Sequence, residues 1–200
     1  LGKTGKGAGE EQGVQGEIDV LFGTFAKAMA SVGGFLCANE DIVEYFRYNM
    51  RSQMYAKSLP MTITVGARKR LEMLRTRPEI KAQLWTIATA LKKGLGEAGF
   101  DLGEANSVVT PVFMKGDLAE ATNLTYDLRE NHNIFCSIVI YPVVPKDVIM
   151  LRLIPTAVHT LEDVNYTVET FKKIKTKLDA GEYKSDEMAA VEVDDKKNMK

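Results

Sequence analysis

Apolar positions change their period as the chain is followed from one end to the other. Asp19 to Phe25 and Gly34 to Ala38 are short apolar runs, which predict two buried strands joined by a tight segment around Lys27. From Glu40 the pattern becomes helical, with Ile42, Val43, Phe46 and Met50 on one face. An irregular stretch, "RSQMYAKSLP", then leads to Pro60, and a second helix is expected from about Met61 to Leu74. In "TRPE", Thr76 offers a cap, Pro78 a first-turn residue and Glu79 the partner of a capping box. They open a helix that turns Ile80, Leu84, Ile87, Leu91 and Leu95 inward and ends at Gly99.

Beyond Phe100 short apolar runs and amphipathic stretches alternate. The reading is strand "SVVTPVFMK", helix "DLAEATNLTYDLREN", strand "IFCSIVIYP", strand "VIMLRLIP" and helix "LEDVNYTVETFKKIKTKL". The last helix takes Thr160 as its cap, with Asp163 three residues on, and is expected to bury Leu161, Val164, Val168, Phe171, Ile174 and Leu178. This is an α/β pattern. From Asp179 onwards charge replaces apolar period, and a disordered tail is expected. The opening, with glycines at 2, 5, 7, 9, 13 and 16, reads as a loop.

Composition narrows the function classes. Two hundred residues allow one sizeable core, or one domain and part of another. Twenty-six Lys and Arg against 27 Asp and Glu leave a net charge of −1, which gives no electrostatic reason to expect nucleic acid. No run approaches the roughly 18 apolar residues of a membrane span, and the charged, glycine-rich start is no secretory signal, so a cytoplasmic protein is expected. Cys37 and Cys136 sit in apolar runs and read as buried free thiols. His132 and His159, without ligand-spaced partners, make no metal site.

Two stretches invite chemistry. "GKT" at residues 2–4 resembles the end of a phosphate-binding loop, but that loop needs a helix immediately afterwards, and Gly5, Gly7 and Gly9 oppose one. "FGTFAKAMASVGGF" at residues 22–35 is sharper. A lysine on a rigid turn can form a Schiff base with an aldehyde cofactor. Ala26, Ala28 and Ala30 leave room for a flat ring, and Thr24 offers a hydroxyl to a phosphate. Spacing alone also fits an exposed lysine on a connecting turn.

The segment "DVLFGTFAKAMASVGGF" resembles the lysine segment of the α-oxoamine synthases, enzymes dependent on pyridoxal 5'-phosphate (PLP), with an acidic strand, G-T-[FL]-x-K-[AS] and a later Gly-Gly-aromatic. "LGKTGKGAGEEQGV" is similar to the family's glycine-rich stretch, "SLP" at 58–60 to its S-L-P-P turn, and "YPVVPKDVIMLRLIPTAVHT" to its Y-P-x-V-P…L-R…A-x-H-T signature. The family joins an amino acid to an acyl-CoA and includes serine palmitoyltransferase, glycine C-acetyltransferase, 8-amino-7-oxononanoate synthase and 5-aminolevulinate synthase.

The resemblance implies that Lys27 bears the cofactor, Thr24 contacts its phosphate and Arg152 grips the substrate's α-carboxylate. A guanidinium fork suits that last task. "KAMASVGGF" looks closer to bacterial serine palmitoyltransferases than to glycine C-acetyltransferases, making serine or glycine the expected amino acid. Ala56, Lys57 and Met61 depart from the family pattern, leaving Ser58 and Lys57 as candidates for a phosphate contact across a homodimer. His159 reads as structural.

The fold implied is the C-terminal half of a fold-type I PLP-dependent transferase. Residues 1–60 would end the large cofactor domain, 61–98 connect, 99–178 form the small α/β domain and 179–200 trail. The family's pyridine-nitrogen aspartate, ring-hydroxyl histidine and stacking residue precede the matched region, so these residues alone are expected not to turn over. An aminotransferase using no CoA, or a binding module without cofactor, is the rival reading.

Overall fold

The computed structural model describes residues 2–184 and falls into two units, Leu1–Lys81 and Ala82–Lys200, each with its own antiparallel sheet. In the first unit the glycine-rich opening is more ordered than its composition predicts. It contains a single helical turn, α1 (Ala8–Glu11), and a 3-10 turn at Gln15–Glu17. The Glu10 carboxylate organises it, accepting Thr4 N–H at 3.0 Å, Lys6 N–H at 3.1 Å and the Thr4 hydroxyl at 2.7 Å. The Thr4 hydroxyl, with the backbone donors, holds that carboxyl below its usual range. Backbone donors that would face a phosphate in a phosphate-binding loop are thus spent on an internal carboxylate, and the helix that follows is four residues long.

Strands β1 (Val20–Thr24) and β2 (Gly34–Ala38) pair from Val20↔Ala38 to Thr24↔Gly34. They form a two-stranded sheet, so the expectation of two fully buried strands fails. Alternate residues face out, and Phe22 is 72% exposed. For the same reason Cys37, expected to be buried, is exposed. Helices α2 (Glu40–Asn49), α3 (Arg51–Tyr55) and α4 (Met61–Thr76) follow. On α2 the half-buried positions are Ile42, Val43 and Phe46, and Met50 just after it is half-buried too, matching the helical period. Thr76 does not cap the next helix: it is the last residue of α4, and its hydroxyl donates back to Glu72 C=O at 2.9 Å. Helix α5 (Pro78–Glu97) starts one residue beyond Arg77, whose guanidinium pairs with Glu79 at 2.9 Å.

The second unit carries β3 (Thr110–Lys115), α6 (Leu118–His132), β4 (Ser137–Val139), β5 (Val148–Leu153) and α7 (Leu161–Asp179), with sheet order β3-β5-β4. Period-2 burial puts Val112, Ile149, Leu151 and Leu153 on one face. With Ile87, Leu91 and Leu95 of α5, Leu124 and Leu128 of α6, and Val168, Phe171 and Ile174 of α7 they form one core. Phe171 is wholly buried, edge-on to Phe100 with centroids 5.7 Å apart, and contributes roughly 2–3 kcal/mol from burial. Helices α5 and α7 approach closely at Gly94, where a Cβ would lie 2.7 Å from Val168 Cγ2.

Both N-termini are built as read or better. Thr160 and Asp163 form a reciprocal capping box on α7, and Asp117 and Glu120 form another on α6. Leu161 is 54% exposed, because the first helical position lies at the rim of the core, outside its stripe. The run "IFCSIVIYP" yields only three strand residues, since Asn133 leaves α6 in the left-handed conformation (φ 54) and residues 133–136 form the connection.

Of the stretch read as a tail, residues 179–184 are described. Asp179 ends α7, and Tyr183 is buried, its hydroxyl donating to Asp127 Oδ2 at 2.5 Å. Residues 185–200 lie outside the described residues.

Candidate active site

The lysine loop is the connection of a hairpin. Three backbone bonds fold residues 25–33: Phe25 N–H to Gly33 C=O at 2.9 Å, Ser31 N–H to Phe25 C=O at 2.8 Å and Ala30 N–H to Lys27 C=O at 2.9 Å. Lys27 opens that last turn, which Ala30 closes at φ 43, a conformation that alanine tolerates better than a β-branched residue would. The Lys27 side chain is exposed between Ala26 and Ala28, and among the described residues no hydrogen bond or ion pair engages its amine.

Thr24 ends β1 on the same loop. Its hydroxyl accepts Ala26 N–H at 3.1 Å and donates to Gly33 C=O at 3.3 Å. The second bond is long, so the hydroxyl proton can be redirected to a better acceptor at small cost. Thr24 and Lys27 thus share one closed loop. Ser58 and Lys57 lie exposed in the extended stretch before α4.

Arg152 belongs to the second unit, on β5, opposite Pro111 on one side and Ser137 on the other. It points to the sheet face away from the core, between buried Leu151 and Leu153, and its Nε donates to Ser137 Oγ at 3.2 Å. That single bond fixes the stem of the guanidinium, and among the described residues no carboxylate is paired with it. Beyond the strand, His159 Nδ1 accepts Thr156 N–H at 2.9 Å, a structural use that sets up the α7 cap. His159, His132, Phe135 and Ile154 line a cavity of about 340 Å³.

A polar cluster in the second unit was not anticipated from sequence. Asp127, on the core side of α6, accepts from Asn131 at 2.7 Å, from Lys177 at 2.8 Å and from Tyr183. Burial opposes its charge, but these donors prevail and hold its carboxyl down at about 2. Burial, together with the bond to Asp127, pushes the Tyr183 phenol up. The available signal was an aspartate one residue before Leu128 on an apolar stripe, where a charge needs a partner. Cys136 is half-buried, and burial raises its thiol to about 11, leaving it unreactive.

Lys27 thus stands on a hairpin loop and Arg152 on an outward sheet face; the comparisons settle the family. The chain belongs to the aminotransferase class I and II family, whose model matches residues 3–171. It is 52% identical over 185 residues to a cysteate-C-fatty acyltransferase of Capnocytophaga ochracea, covering 92% of this chain and 44% of that one. It is 30% identical to a serine palmitoyltransferase of Sphingobacterium spiritivorum, covering 87% and 43%. The fold matches a solved structure of SPT with a PLP internal aldimine at TM-score 0.82 and 29% identity, over 90% of this chain and 45% of that one. The chain thus spans less than half the length of the relatives it matches. No described helix is long and apolar enough to cross a membrane.

Proposed function

We propose that this chain is part of a PLP-dependent acyltransferase of the α-oxoamine synthase type, acting as a homodimer, that condenses cysteate with a fatty acyl thioester. The observation that carries the substrate is the 52% identity to a cysteate-C-fatty acyltransferase. Serine is the second reading, favoured by the lysine segment and by the serine palmitoyltransferase relative. Exposed Tyr45, Tyr48, Tyr55 and Met61 in the first unit support an interface with a second copy.

The residues fit the cofactor. An amine without a partner among the described residues stands on a closed loop, flanked by alanines that leave a ring room, with a redirectable hydroxyl three residues upstream. When bound, PLP supplies an electron sink for negative charge at the amino acid's Cα. Lys27 is the side chain that holds it, and Thr24 Oγ1 is a donor for its phosphate. Arg152 takes the α-carboxylate in a two-pronged pair, which fixes the orientation of Cα. With its amine free, Lys27 Nζ would be the base that accepts the Cα proton.

The test is the visible absorption of the full-length parent with PLP, for wild type and Lys27→Ala, before and after L-cysteate, L-serine or glycine. A band that requires Lys27 and responds to cysteate, with a mass-identified condensation product from a fatty acyl thioester, supports the reading. A response to serine alone moves the assignment to the second reading. A band indifferent to Lys27→Ala rejects both.

A further inference from the structure

The hairpin that carries Lys27 has three glycines whose missing Cβ atoms are replaced by close neighbours. Over Gly23 lies the ring of Phe35, 2.3 Å from where a Cβ would stand, and a Cβ on Gly34 would lie 2.7 Å from Gly23 O. Both neighbours belong to the hairpin itself. Gly33 differs, because a Cβ there would lie 2.5 Å from Leu59 Cδ2, a side chain from the stretch ahead of α4. Gly33 also has φ 92, the left-handed region in which a side chain is strained.

Gly33 is the closing residue of the lysine loop. Its carbonyl accepts both Phe25 N–H at 2.9 Å and the Thr24 hydroxyl at 3.3 Å. A displacement of Gly33 therefore moves both ends of the loop and the Thr24 side chain together.

We propose that Leu59 is a positioning residue for the cofactor lysine: its isobutyl group fills the slot over Gly33 and fixes the loop from Thr24 to Gly33. The proposal rests on the reading that Lys27 holds PLP. Leu59 touches no reacting atom and acts through Gly33. A lysine side chain has four rotatable bonds, so its amine is placed only as well as its backbone is, and displacements near 1 Å cost about a hundredfold in rate.

The experiment uses the PLP-loaded full-length parent, comparing wild type, Leu59→Ala and Leu59→Met. The readouts are the visible circular dichroism of the lysine-bound cofactor, the pH titration of its absorption band, and kcat and KM for the amino acid. Leu59→Ala is expected to lower the visible dichroism severalfold, displace the titration midpoint and reduce kcat about ten- to a hundredfold with little change in KM. The far-ultraviolet spectrum should be unchanged, and Leu59→Met, which refills the slot, should recover most of each loss. Should Leu59→Ala lose its fold, Leu59→Val carries the same expectation at smaller amplitude.

Dichroism and titration identical to wild type in a folded Leu59→Ala or Leu59→Val overturn the proposal while leaving the role of Lys27 intact. Absence of a Lys27-dependent band in wild type overturns the underlying reading instead.

Discussion

At the scale of single residues, the proposed function asks two cations for different tasks. Lys27 is without a partner among the described residues, as a side chain needs to be if its amine is to bond and then act as a base. Lys27→Ala in the parent is expected to lower turnover by at least about 10²–10⁴-fold, measured as product formation at saturating amino acid. Among the described residues Arg152 is anchored through Nε alone, which would leave the terminal nitrogens for a carboxylate. Arg152→Lys keeps the charge and loses the fork, so KM for the amino acid should rise about ten- to a hundredfold, with a smaller change in kcat. The hairpin around Lys27 was legible because its contacts are local: the loop is closed within residues 24–34. The exposure of Cys37 was not, because an apolar run does not say whether one face of its sheet or both are covered.

At the scale of elements, the joint between α6, α7 and the turn after it gives a pH prediction. Asp127 titrates at about 2 in the fold against 3.8 when free, so the fold favours its charged form. The stability this adds, ~2 kcal/mol, is complete above about pH 5 and is lost as pH falls from about 4 to 2. Tyr183 is shifted the other way. Its contribution is complete below its ordinary value of 10.0 and declines as pH rises above it. Tyr183→Phe should destabilise the parent by about 1–3 kcal/mol near neutrality and move the acid transition to higher pH, as read by thermal unfolding across pH.

Packing between helices gives a second test at this scale. Gly94→Ala gains helix propensity but drives a methyl toward Val168, and a net loss of about 1–2 kcal/mol is expected by the same measurement. The helix periods of α2, α5 and α7 could be read along most of their length, since each apolar stripe faces a core or its own unit, but Ile80, expected to turn inward, is 36% exposed in the first turn of α5. Their ends could not. Thr76 has the residue type and spacing of a cap, yet its hydroxyl back-bonds to Glu72 and prolongs α4. Leu161 fits the stripe of α7 but falls where the core has already ended. The link between Asp127 and Tyr183 joins residues 56 positions apart, a distance at which no local pattern speaks.

At the scale of the whole molecule, the chain spans 44% of its cysteate-C-fatty acyltransferase relative. The residues that the family resemblance assigns to the cofactor ring lie outside the matched region. The isolated 200 residues should therefore give no condensation product with cysteate, serine or glycine and a fatty acyl thioester, by mass spectrometry under conditions in which the parent does.

The two cations also stand at opposite ends of the folding problem. Lys27 sits on a hairpin whose strands are neighbours in sequence, and such closures take about 1–10 μs. Arg152 sits on a strand that must find β3 across the whole of α6, pairing Thr110 with Leu153. During synthesis at about 5–20 residues per second, the Lys27 loop can close and reopen many times before the Arg152 strand has left the ribosome. Nascent chains stalled before residue 148 already hold every partner that closes the Lys27 loop, and none of the strand pairing that holds Arg152.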